Sequence, residues 1–507
     1  MRGRAVTSAT TATTGGARRG RVARAVGVAA LAATVLVPAG AAGQAGPAPR
    51  TSGTALVGHV DPPGAVHADV WAFRGVAYLG DYRSGGCRPP AGVWAIDVRD
   101  PAHPRPLASF AAFPGSDGQD VWVGAVRTAT FRGDLAAVGI QPCGGAGSGF
   151  AGLALYDVTD PAHPRSLAQL PTGVASGVHE LGVVQRPDGR VLALEAVPGS
   201  FPESGGARGD LRIADVTDPR HPRELADWDV RRDGPPAQRA QLGARRDVFC
   251  HSAWPFDRGR KLFASFWAAG EQFLDIADPA RPRLVGQAAY APADRFRAAH
   301  SGWFSADERL FVQNDETLQP VGQGGAATWT VQRLYDTRRL QAPVLLATFA
   351  PEQAVPGRDG RIARDGIYSV HNAVVEGTRE YVSWYSAGVR VVDLSDPRRP
   401  RETAWFVPPA TAADQEAGPA GQGRQPLVWG VYPYEGIVLA SDMRSGLWLF
   451  RVLPVAGPAA TTAAPGAAAR AGPAGGGRTP LLLGTLTVAA VALLAGLVLA
   501  RRGRRAG

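Results

Sequence analysis

The chain has 507 residues, of which 45% are hydrophobic and 19% charged, with 64 Gly and 42 Pro. That composition excludes a collagen-like or wholly disordered chain and fits an ordered, turn-rich protein. The formal charge of +10 sits at the ends: residues 1–50 hold seven Arg and no acid, and residues 453–507 hold six Arg and no acid, leaving 41 basic against 44 acidic groups between them. A middle with a net charge of −3 offers no phosphate-binding face, so no nucleic-acid partner is expected.

At the N-terminus Arg18, Arg19, Arg21 and Arg24 precede an apolar stretch from Ala25 to Val37, broken at Pro38 and followed by small residues. This order reads as a signal peptide over 1–45, cut after Ala41 or Ala45, with the export route, Sec or twin-Arg, left open. The apolar run is too short for the ~20 residues that a membrane span needs.

Self-similarity dominates the middle of the chain. GVWAIDVRDPAHPRPL, GLALYDVTDPAHPRSL, DLRIADVTDPRHPREL, QFLDIADPARPRLV and GVRVVDLSDPRRPRET share one plan, with TVQRLYDTRRLQAPVLL as a degenerate copy. The aligned Asp97, Asp157, Asp215, Asp275, Asp336 and Asp393 recur every 57–61 residues, and one further step reaches Phe450 in GLWLFRV. Each repeat reads as four short strands: a β-rich run, a tight turn such as FRG at 73–75 or YEG at 434–436, a return run, the aspartate strand and a fourth strand. Four antiparallel strands repeated radially give an all-β, seven-bladed β-propeller over 54–452. The last repeat stops after its third strand, and TALVGHV at 54–60 resembles the fourth-strand segment RLVGQAA at 283–289, so the N-terminal strand is expected to close the ring. In D-[VIL]-x-D-P the second aspartate bonds its own following backbone and the proline presets the turn, linking third and fourth strands.

Beyond the repeats, residues 453–480 are almost wholly Ala, Pro, Gly and Thr, which reads as an extended stalk. Residues 481–500 form an uncharged run long enough to cross a bilayer, and a basic tail at 501–507 follows at once. The expected topology is single-pass, at the cell membrane, with an extracellular propeller and a cytoplasmic tail.

The strand-turn motif, in its forms VWAID, LALYD, LRIAD and VRVVD, resembles that of the LVIVD-repeat proteins over most of 54–452. The resemblance implies a secreted or surface-bound propeller and brings no catalytic residues with it.

The nine histidines fall into patterns. His103, His163 and His221 occupy the DP-x-HP turns and are expected at the surface. His67, His179, His251, His300 and His371 open the first strands of blades 1, 3, 4, 5 and 6, where blades 2 and 7 are read as carrying Ala125 and Gly430. First strands lie nearest a propeller axis, so these five could ring one mouth of the channel. The ends of the second strands lie on the same face and offer Asp81, Glu195, Asp315, Tyr385 and Asp442 as ligand-face candidates. As ligands, converging imidazoles suit copper or zinc, with Cys250 beside His251 as a soft partner. The chain is also distantly similar to seven-bladed selenium-binding and methanethiol oxidase propellers, which are metal-dependent. As structure, each histidine would simply bond the next blade's backbone. Cys87 and Cys143 lie in equivalent loops of adjacent blades, and a disulfide between them is expected outside the cell.

Two functions follow. One is a monomeric binding or scaffold module for an extracellular protein or small molecule. The other is an extracellular metal-dependent oxidoreductase. Lactone or glycan hydrolysis is a third, carried by fold alone. No G-x-S-x-G elbow or G-K-[ST] phosphate loop is present.

Overall fold

The computed structural model describes residues 48–454, apart from 64–65, 83–91, 144–148, 200–207, 292–293, 295–296, 318–328, 356–365 and 412–423. The chain divides into two units between Val455 and Ala456, and every described residue belongs to the first. The expected signal peptide at 1–45, the stalk beyond 454, the span at 481–500 and the tail at 501–507 lie outside the described residues. Among the described residues no helix is long and apolar enough to cross a membrane.

Two strands, Arg50–Ser52 (β1) and Thr54–Val60 (β2), precede a series of four-stranded antiparallel units. These are Val66–Phe73, Val76–Tyr82, Val93–Asp97 and Arg105–Phe110 (β3–β6); then Ser116–Arg127, Arg132–Pro142, Gly152–Asp157 and Arg165–Pro171 (β7–β10). Leu181–Gln185, Val191–Ala196, Leu211–Asp215 and Arg223–Trp228 follow (β11–β14), then two short helices, Val230–Asp233 (α1) and Pro236–Leu242 (α2). The series continues with Cys250–Phe256, Lys261–Phe266, Gly270–Asp275 and Arg283–Ala288 (β15–β18), and Ala299–Phe304, Leu310–Asp315, Gln332–Asp336 and Val344–Phe349 (β19–β22). Ala373–Glu376, Arg379–Ser383, Val389–Asp393 and Arg401–Val407 (β23–β26) lead to Val428–Tyr434, Ile437–Asp442 and Gly446–Val452 (β27–β29). The arrangement is a β-propeller.

Local chemistry sets each unit. The β3–β4 turn places Arg74 and Gly75 at φ 49° and 75°, and the β27–β28 turn places Glu435 and Gly436 at 46° and 80°. Two-residue hairpins of this kind need positive φ at both positions, which glycine adopts at no steric cost. Second and third strands such as VLALEA and LRIAD are buried on both faces, while fourth strands such as RELADW keep contact with solvent. That asymmetry explains why the middle strands read as near-continuous apolar runs instead of clean alternations.

The aspartate turns are built alike. The second aspartate of each accepts the N–H two residues on, Asp100 from Ala102 at 3.2 Å, Asp160 from Ala162 at 3.1 Å and Asp278 from Ala280 at 3.1 Å, as the motif predicts. The first accepts from its own i+2 N–H and from an arginine opening the fourth strand, as in Asp157 with Thr159 at 3.0 Å and Arg165 at 2.6 Å. His103, His163 and His221 stand at the surface, each 2.9 Å from the carboxylate of its own turn. These carboxylates are thus already engaged, which leaves little for calcium, an ion that wants six or more oxygens.

Adjacent units share apolar cores, and the first and last do so too. Val70, Ala72, Leu79 and Ile96 pack with Ile437, Leu439, Leu447 and Leu449 in one cluster. β2 pairs antiparallel with β29, from Thr54↔Val452 to Val60↔Leu447, and supplies a fourth strand to β27–β29. β1 adds a fifth strand outside β26. The N-terminal segment therefore covers two sheet edges, and the ring closes on itself.

Candidate metal centre

The first strands β3, β7, β15, β19, β23 and β27, with Glu180 at the head of β11, line a cavity on the propeller axis. Its layers follow from strand periodicity, in which equivalent positions of successive strands share one level. The outer layer at one end is aromatic: Trp71 stacks on Trp254 with ring centroids 5.6 Å apart and lies 4.5 Å from Tyr432, and Trp254 lies 5.4 Å from Trp303. Next comes a polar level with Asp69, Asp120, Glu180, Ser301 and Asn372. Beyond it stand the histidines.

Four of the five expected histidines form one continuous row. Ring centroids are 4.2 Å apart for His179 and His251, 4.0 Å for His251 and His300, and 4.1 Å for His300 and His371. The Nε2 atoms of His179 and His251 approach to 2.8 Å. His67 stands apart from this row, its Nε2 3.0 Å from Asp61. Blades 2 and 7 depart from the sequence reading: Ala125 pairs with Asp134, near the far end of β7, and Gly430 sits one residue from the histidine level. Gln119 and Trp429 occupy that level, Gln119 Nε2 2.6 Å from His179 Nδ1 and Trp429 with its ring centroid 4.5 Å from that of His371. The slip arises because β7 is longer than the other inner strands and carries a bulge between Asp117 and Asp120, which a one-sequence alignment cannot locate.

Two carboxylates that sequence reasoning passed over meet the row. Glu180 Oε1 lies 3.7 Å from His251 Nδ1 and 3.8 Å from His300 Nε2. Glu316 presents Oε2 at 3.6 Å from His300 Nε2 and Oε1 at 3.8 Å from His371 Nε2. Tyr385, held at φ 33°, donates its hydroxyl hydrogen bond to Glu316 Oε1 at 2.5 Å. A bulky residue at positive φ is strained and persists only where its surroundings fix it. Some ring nitrogens are anchored, His179 Nδ1 at 2.8 Å from Gln141 Oε1 and His371 Nδ1 at 2.9 Å from the Trp429 carbonyl. Others have no hydrogen-bond partner among the described residues: His251 Nδ1, both nitrogens of His300 and His371 Nε2. His300 and His371 are 0% exposed and His251 7%, so bulk solvent does not reach these side chains.

The electrostatics match. Burial pushes His179 down to about 4 and His371 down to about 3, and burial with neighbouring imidazoles holds His251 and His300 well below the usual range. All four are therefore neutral near pH 7, with lone pairs available. Burial lifts Glu316 and Asp69 to about 7, and burial with neighbouring carboxylates lifts Asp120 and Glu180 well above their ordinary values. The ligand atoms of His179, Glu180 and His251 lie within 4.8 Å of one another, and so do those of His251, His300 and Glu316.

The remaining candidates lie elsewhere. Cys250 is a buried free thiol that donates to the Ser252 carbonyl at 3.5 Å and belongs to neither of these two groups. Of the ligand-face set only Tyr385 reaches the row. Asp81 is fully buried opposite His67. Glu195 is buried on β12, and Asp315 is buried against Arg333 at 2.9 Å. Asp442 accepts from the backbone of Leu427 and Arg444. Asp315 and Asp442 thus serve a buried arginine and loop backbone, and Asp81 and Glu195 are interior as well. Cys143 is disulfide-bonded, and Cys87, its expected partner, lies outside the described residues.

No protein-family model matches the chain, and no curated protein matches it. Among solved structures it is similar to Raptor of Chaetomium thermophilum, with 13% identity and a TM-score of 0.48 over 79% of this chain and 30% of that one. It is also similar to the Cps50 (Swd1) β-propeller domain of Myceliophteria thermophila, with 10% identity and a TM-score of 0.46 over 79% of this chain and 99% of that one. The computationally designed Ika8 protein shows 9% identity and a TM-score of 0.43 over 78% and 99%. The chain thus spans less than a third of the length of the Raptor chain. The fold assignment rests on the strand order.

Proposed function

We propose that this chain is a seven-bladed propeller of the LVIVD-repeat kind, displayed outside the cell on a C-terminal helix, whose axial channel holds a divalent transition-metal ion. The observation that carries this reading is the convergence of His179, His251, His300 and His371 on Glu180 and Glu316, with imidazole nitrogens of His251, His300 and His371 that have no hydrogen-bond partner among the described residues. An unsatisfied buried polar group costs on the order of 1–3 kcal/mol, and three residues of one row carry such nitrogens. A metal ion would take one nitrogen from each imidazole that it reaches and a carboxylate oxygen beside them.

The donors are imidazole and carboxylate without thiolate. That set suits zinc, copper(II), iron(II) or manganese rather than copper(I). Gln141 and the Trp429 carbonyl would act as the outer partners that fix ring orientation in histidine metal sites. His179, partly buried at the end of the row, is its most accessible member. These features favour the extracellular metalloenzyme, an oxidoreductase, over the binding or scaffold module, which needs no such interior. Metal analysis of the full chain, purified without chelator or immobilised nickel, tests the reading. At least one transition-metal ion per chain, lost in His300→Ala, is expected; a metal-free, folded protein returns the account to the binding module.

A further inference from the structure

We propose that the axial cavity beneath the aromatic mouth binds a short primary amine, its nitrogen seated among Asp69, Asp120 and Asn372 and its carbons against the rings of Trp71, Trp254, Trp303 and Tyr432. The site is separate from the metal reading and stands without it.

Three observations lead there. First, the cavity is small and reached from one end. Its volume is about 40 Å³, and a water needs roughly 10–15 Å³, so it holds about three non-hydrogen atoms. The four aromatic side chains at its mouth are only partly buried, which gives solvent access there. Second, the walls suit a positively polarised guest. Aromatic faces carry negative charge density and attract an ammonium group or the C–H groups next to it, and among the described residues that line the cavity none is basic. Third, the floor leaves acceptors open. Asn372 Nδ2 donates to Asp69 Oδ2 at 2.6 Å, which fixes the amide, and Asn372 Oδ1 has no hydrogen-bond partner among the described residues. Asp69 Oδ1 accepts from the Val70 N–H at 2.9 Å and Asp120 Oδ2 from the Leu181 N–H at 2.6 Å, and a carboxyl oxygen has room for a second bond. Ser301 has spent its hydroxyl hydrogen on the His371 carbonyl at 2.6 Å. An amine fits this floor in either proton arrangement: as ammonium it donates to the carboxyl oxygens, and as free amine it accepts from a protonated carboxyl while donating to Asn372 Oδ1.

Full-length protein is titrated with ethylammonium chloride to about 100 mM against sodium chloride of equal ionic strength, by ligand-observed NMR and tryptophan fluorescence, with ethanol as the neutral probe of equal size. A guest of about three non-hydrogen atoms reaches a Kd of about 1 mM at best, so saturable binding in the millimolar range is expected, with ethanol at least about tenfold weaker. Asp69→Asn should weaken ethylammonium by about tenfold or more: the Val70 N–H holds the remaining oxygen, the new amide nitrogen faces Asn372, and Asn372 turns over and presents a donor where its Oδ1 stood. Trp254→Leu should weaken it several-fold and decides the matter if Asp69→Asn, followed by circular dichroism, fails to fold. No saturation in the folded parent, equal binding of ethanol, or unchanged binding in the folded variants overturns the proposal and leaves the metal reading untouched.

Discussion

Ring closure by β2 makes a prediction that the repeat itself sharpens. Gly58 lies on β2 and Gly286 on β18, and each faces the aspartate turn of the following blade. A β-carbon at Gly58 would meet the Pro101 carbonyl oxygen at 2.1 Å, and one at Gly286 would meet that of Leu340 at 1.8 Å. Pro101 and Leu340 both stand four residues after the aligned aspartates, Asp97 and Asp336, so the contact is one contact used twice. An ordinary carbon–oxygen approach is about 3.3 Å, which puts each methyl more than 1 Å too close to a backbone atom. Overpacking of this size costs about 1–3 kcal/mol. The two sites differ in how they can relax. Gly286 sits mid-chain and must carry the strain, whereas β2 can peel from β29 and expose Val57 and Val60, which pack against the cluster joining first and last blades. Gly58→Ala is therefore expected to lose about 1–3 kcal/mol in urea denaturation and to gain rapid tryptic cleavage after Arg50. Gly286→Ala is expected to lose as much or more without that cleavage, and Leu56→Ala, at a side chain 45% exposed, to change little. Gly58→Ala within about 0.5 kcal/mol of the parent, with no new cleavage, would refute the closure.

Other outcomes are open to direct measurement. Saturating the chelated protein with its metal at a hundredfold excess over Kd should add about 2.7 kcal/mol, roughly 3 °C in Tm for a propeller of some 400 residues, and His300→Ala should abolish the gain. Glu380, fully buried beside Gln332, is lifted by burial to about 8; its contribution is fully present below the ordinary glutamate range and is lost as pH rises toward 8. Glu380→Gln should thus gain stability over the parent progressively between about pH 5 and 8, by on the order of 4 kcal/mol at the limit, and a constant difference across that window would contradict the burial. Cys250, its thiol raised well above the ordinary value by burial and neighbouring acids, should resist a thiol reagent in the native protein. One thiol per chain should appear in denaturant, three if no disulfide forms.

The fold was legible because each repeat carries the same local instructions. Turn glycines, the aspartate strand and the D-P turn recur together, the aspartates over five spacings, and the unfinished last repeat points to the strand that completes it. The arginines that open the fourth strands, such as Arg165 paired with Asp157, were equally repeated and went unread. The site was legible only in part. His179, His251, His300 and His371 were found by position, but His67 turns to Asp61 at 3.0 Å, a pairing that no repeat pattern announces. Glu180 follows a histidine directly and was hidden by it. Asp69 and Asp120 share the local sequence D-V-W, a signal that was present and not used. Glu316 lies just beyond β20, and only the folded chain brings it beside His300.

The most direct test is X-ray diffraction from crystals of the chelator-free protein, with anomalous data collected at the absorption edges of manganese, iron, copper and zinc. The account predicts anomalous density on the axis, within about 2.2 Å of imidazole nitrogens of the His179–His371 row and of a Glu180 or Glu316 oxygen. Well-ordered imidazoles with water or nothing between them, and no anomalous peak after metal soaking, would contradict it.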